Sequence, residues 1–62
     1  MNFTPKPFQL RFKGMGEQKF HLLQICGSRE EAMEAVDRIT RYGEYEIFNE
    51  KKFVCRGFHE PK

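Results

Sequence analysis

The sequence predicts an α+β domain of order β-β-α-β-β, a four-stranded, largely antiparallel sheet with one helix packed on one face. Three observations lead there. Residues 8–13 alternate apolar and polar, and so do the segments flanking 49–52. Residues 28–43 carry an apolar stripe at helical spacing. Glycines and an Asn-Glu-Lys-Lys turn stand where the chain must reverse between these runs.

The chain has 62 residues, enough for one domain at 8–58. A Pro-interrupted lead-in at 1–7 precedes it and a polar tail at 59–62 follows. Domains of this size bury only about 60% of the surface of the unfolded chain. The seven Phe and two Tyr therefore carry much of the burial.

In the first strand Phe8, Leu10 and Phe12 share one face, and Gln9, Arg11 and Lys13 the other. Gly14-Met15-Gly16 predicts a hairpin with Met15 exposed at its tip. The second strand, 18–26, is apolar on both parities: Phe20, Leu22 and Cys26 against His21, Leu23 and Ile25. Such a strand is central, or is covered on its second side by another chain.

Ser28 and Glu31 form a capping-box signature. Ala32, Val36 and Ile39 then recur on one side, with Ala35 beside them. Glu34–Arg38 and Asp37–Arg41 are i,i+4 pairs in the favourable order, and Gly43 is the expected left-handed terminator. Beyond it, Tyr45 and Ile47 alternate with Glu44, Glu46 and Phe48. In the last strand, parity puts Phe53 and Cys55 toward the helix and Val54, Arg56 and Phe58 away from it.

Composition excludes several classes of function. A net charge of +2 with 32% charged residues describes a solvated surface rather than a polycation. No apolar run approaches the ~18 residues of a membrane span, and 1–7 has no apolar core of signal-peptide type. A cytoplasmic location follows as the expectation, with Cys26 and Cys55 as free thiols. His21, Cys26, Cys55 and His59 lack the tight Cys-x-x-Cys knuckle of structural zinc sites, so no metal or other cofactor is expected. Glu30, Glu31 and Glu34 lie on the helix surface, and although a cysteine could pair with His21 or His59, a 62-residue core leaves little space for a pocket, so the chain reads as non-enzymatic.

The informative surface is the sheet face opposite the helix. Parity gathers Arg11, Lys13, Leu23, Ile25, Phe48, Val54, Arg56 and Phe58 there, an apolar centre with a basic rim. The leading expectation is a protein-interaction module that binds a protein partner through this face. The alternatives are a small nucleic-acid-binding domain, with the cations on phosphates and the rings stacked on bases, and a homodimer surface. In layout, two hairpins flanking one helix, the chain resembles very small phage- or mobile-element-encoded proteins. That resemblance implies docking on a larger protein machine.

Overall fold

The computed structural model describes residues 6–61. The expected lead-in at 1–7 falls largely on 1–5, which, like Lys62, lie outside the described residues. The elements are β1 (Phe8–Gly14), β2 (His21–Cys26), α1 (Arg29–Asp37), β3 (Gly43–Asn49) and β4 (Lys52–His59). They form one antiparallel sheet in the order β2-β1-β3-β4, so the fold class is α+β as the alternating segments require. No helix among the described residues is long and apolar enough to cross a membrane.

The helix is shorter than its sequence signal. Ser28 caps it, its hydroxyl accepting from the Glu31 N–H at 3.1 Å. It stops at Asp37; Arg38 and Ile39 then donate to the carbonyls of Ala35 and Val36 in a tightened last turn. Ile39 packs on the core from beyond the helix. Arg41 is also beyond it and pairs with Glu17 at 3.1 Å, not with Asp37. Gly43 is not a cap. It opens β3 opposite Gly14, where a Cβ would stand 2.3 Å from the Lys13 carbonyl oxygen. Close backbone approach, rather than a left-handed φ, is what requires glycine there.

α1 lies over β1 and β2 and buries Ala32, Ala35 and Val36 against Leu10, Cys26 and Ile47. Phe12 is also fully buried. The second half of the helix-side face is closed by Tyr45, whose ring lies across Gly57 so tightly that a Cβ would stand 2.5 Å from its hydroxyl. The strand β4 ends one residue later than expected. His59 belongs to it, and its Nε2 lies 2.7 Å from the Ile39 carbonyl oxygen.

Each edge strand carries one bulge, and the two bulges reset which side chains face out. In β2, Gln24 pairs with Leu10 and Leu22 with Arg11, so Leu23 is the extra residue. In β4, Cys55 pairs with Ile47 and Phe53 with Phe48, leaving Val54 extra. Directly paired residues share a side of the sheet. Leu22 and Phe53 are therefore on the face away from the helix. Val54 packs on the core, and Leu23 lines a helix-side groove with Ala35, Arg38 and Ile39. Strict alternation places all four the other way. The strand β2, apolar on both faces, is at an edge and not in the centre.

Glu17 fastens the loop between β1 and β2. Its carboxylate accepts from the Gly14 N–H at 2.6 Å and from Arg41 at 3.1 Å, tying that loop to the segment before β3. Gly16 takes a positive φ of 87° beside it. Hydrogen bonding from Gly14 first, and from Arg41 second, holds the Glu17 carboxyl below its ordinary 4.5. The folded state thus binds this proton less readily than the unfolded chain does. The contribution is complete above the unfolded value and fades as pH falls through the lower folded value.

The thiols are far apart. Cys26 and Cys55 are in opposite edge strands, three strand spacings or about 14 Å from each other, too far for a bridge within one chain. Burial pushes the Cys26 thiol up from its ordinary value, with Glu31 adding to the shift.

Two outcomes check this description. Ser28→Ala should cost about 1 kcal/mol in urea unfolding at neutral pH, the usual worth of an N-cap hydroxyl. Glu17→Gln should lower stability at neutral pH and flatten its decline below about pH 4.5, measured as unfolding midpoints across that range. Parallel pH profiles for the variant and the parent would show that Glu17 holds no such clamp.

Candidate functional site

The face away from the helix has no covering element among the described residues. The register arranges it in rows running from β2 to β4. One row is Ile25, Gln9, Phe48 and Phe53; the next is Leu22, Arg11, Glu46 and Arg56. A third runs Lys13, Glu44 and Phe58, and Phe20 joins it with its ring 5.4 Å from the Lys13 ammonium.

Four of the five charged residues in these rows stand on the two middle strands, beside Gln9 and Phe48, and hydrocarbon dominates the two sides, the reverse of an apolar centre with a basic rim. The physical reason is the sheet order. The strand β2, with its Leu and Ile residues, is at one edge and β4, with its Phe residues, at the other, while β1 and β3 bring Arg11, Lys13, Glu44 and Glu46 to the centre.

Of the residues that parity assigns to this face, Arg11, Lys13, Ile25, Phe48, Arg56 and Phe58 are on it. Leu23 and Val54 are turned to the helix side by the bulges. Leu22 and Phe53 take their places, at 50% and 55% exposed. Phe53 was detectable from the turn alone. A tight reversal at 49–52 sets Phe48 directly opposite Phe53, so the two rings must share a side.

The charges are largely matched within the face. Glu46 is buried, and its carboxylate accepts from Arg56 at 2.7 Å while the guanidinium stays open to water. Glu44 pairs with Lys13 at 3.5 Å. Three cations, Arg11, Lys13 and Arg56, against two carboxylates, Glu44 and Glu46, leave a surplus of one positive charge. The same cations cover the rings. Arg11 lies 5.3 Å from the Phe48 centroid and Arg56 5.9 Å from that of Phe53. Phe48 and Phe53 meet edge to face at 5.7 Å. Each cation–ring contact of this wet kind is worth about 0.5–1 kcal/mol.

Among the described residues no three of His, Cys, Asp and Glu converge as metal ligands do. His21 and Cys26 do share the helix side, because the bulge between them shifts the alternation, but the four strand residues between them keep them apart. Comparison of the chain with protein families, with curated proteins and with solved structures finds no match.

The packing predicts an ordering of ring truncations. Phe48, half-buried between Arg11 and Phe53, should cost roughly 2 kcal/mol as Phe48→Ala. Phe53→Ala and Phe58→Ala, at more than half exposure, should each cost under about 1 kcal/mol. Chemical denaturation of the three variants measures this, and a collapse of the domain by Phe53→Ala or Phe58→Ala would assign that ring to the core.

Proposed function

We propose that the chain is a non-enzymatic protein-interaction module that docks on a protein partner through the sheet face opposite its helix. One observation carries the reading: a sheet face with no covering element among the described residues, on which Phe53 and Phe58 stand 55% and 53% exposed and Arg56 lies 5.9 Å from the Phe53 centroid. Phe and Arg are enriched in the centres of protein interfaces, where a few large side chains supply most of the affinity. Phe53, Phe58 and the edge of Phe48 are the anchors. Arg11, Lys13 and Arg56 orient the partner and raise the association rate.

A protein partner is favoured over nucleic acid by charge. Phosphate binding needs uncompensated cations, and here Glu44 and Glu46 neutralise two of three. A cytoplasmic setting, in which both thiols stay reduced, fits this role and belongs to the same proposal.

The test is affinity capture with the parent chain and with a Phe53→Ala/Phe58→Ala double variant that retains its circular dichroism. A protein captured by the parent and lost by at least tenfold from the variant supports the reading. Equal capture by both overturns it. Binding of mixed oligonucleotides at low salt, lost at moderate salt, would assign the face to nucleic acid instead.

A further inference from the structure

The strand β2 combines an edge position with the side-chain pattern of an interior strand. Leu22 and Ile25 project from the face opposite the helix at 50% and 47% exposed. Leu23, turned to the helix side, is 46% exposed. Residues 22–26 include no charged residue and no proline, the usual means of keeping an edge from pairing. The bulge at Leu23 shortens any ladder that forms there, but it also aims a leucine into the layer of the helix. The opposite edge is charged: β4 carries Lys52 and Arg56, residues of the kind that discourage edge pairing.

The helix adds charge complementarity along β2. Ala35 and Arg38 line a groove with Leu23 and Gln24, and Glu31 lies one turn before Ala35 on the same side of α1. The chain leaves β2 at Cys26 and enters α1 at Arg29, so Glu31 lies near the Cys26 end and Arg38 near the His21 end. A two-fold axis perpendicular to the sheet that pairs β2 with its copy keeps both helices on one side and runs them antiparallel. Glu31 of each chain then comes beside Arg38 of the other. The spacing agrees as well. With strands ~4.8 Å apart and α1 over β1 and β2, the two helix axes fall about 10 Å apart, at the packing distance of helices.

We infer that the chain forms an isologous homodimer through β2, joining two sheets into one of eight strands with two antiparallel helices on a single face. The second copy is the occupant that this edge fits. The inference goes beyond the partner-binding reading and does not rest on it, because Phe53 and Phe58 lie on the far strand. Short strands and one helix flank make a small contact, and interfaces under about 1,200 Å² are weak, so association belongs in the micromolar range.

Sedimentation equilibrium from low micromolar to submillimolar concentration tests this. The parent mass should climb from one chain toward two. Leu23→Lys should stay monomeric with unchanged circular dichroism. Arg38→Glu should raise the dissociation constant about tenfold by setting acid against Glu31, and adding Glu31→Lys should restore it. If Leu23→Lys fails to fold, the charge exchange alone decides. Phe53→Ala should leave the dimer unchanged, which separates this contact from the partner-binding face. A single-chain mass for the parent throughout, a dimer indifferent to the charge exchange, or a dimer lost on Phe53→Ala overturns the inference.

Discussion

Coverage is the constraint from which the rest of this structure follows. A helix of nine residues is about 14 Å long and 10 Å wide, and α1 lies chiefly over β1 and β2. The other half of the same face needs a different cover. Tyr45 supplies it by lying flat across Gly57, with Val54, Cys55 and Ile39 filling in around it. The His59 contact with the Ile39 carbonyl then holds the end of β4 to the segment after the helix. Hydrocarbon from β3, β4 and the segment after the helix is thus recruited to do what a longer helix would have done alone.

Among the described residues the opposite face receives no such cover and is kept wettable by interleaving. Glu46 sits between Arg11 and Arg56, and Lys13 and Glu44 pair one row on. The cations lie across the rings of Phe20, Phe48 and Phe53. This arrangement hides part of each ring from water without burying it, and leaves the rings available to a surface that can displace or share the guanidinium contacts. A mean hydropathy of −0.74 is consistent with a thin sheet whose exposed side must remain compatible with solvent.

Much of the fold was legible in the residues. Alternation in β1 and β3, the Ser28 cap and the paired turns identify the elements and their order. The helix end was not, because Arg38, Ile39 and Arg41 continue the helical spacing while the backbone has already tightened into its last turn. Ile39 reads as stripe and packs against the core, but it does so from the turn beyond the helix. The site was legible only where strands are regular. Arg11, Lys13, Phe48 and Arg56 fall where alternation puts them, whereas Leu23 and Val54 do not. No composition rule marks an inserted residue in an edge strand, and only the register against the neighbouring strand reveals it. The position of β2 was hidden for a related reason: apolar side chains on both faces describe what a strand needs, not what its own chain provides.

The two bulges have a consequence for how this surface can change over generations. Leu23 and Val54 are each a residue that the ladder does not use, since every other pairing in β2 and β4 is made without them. A codon lost at either position leaves the hydrogen-bonded frame in place, while a codon gained beside them rotates a short run of side chains from one side of the layer to the other. The outward chemistry of both margins is therefore open to revision by insertion and deletion, independently of the central strands that hold the domain together.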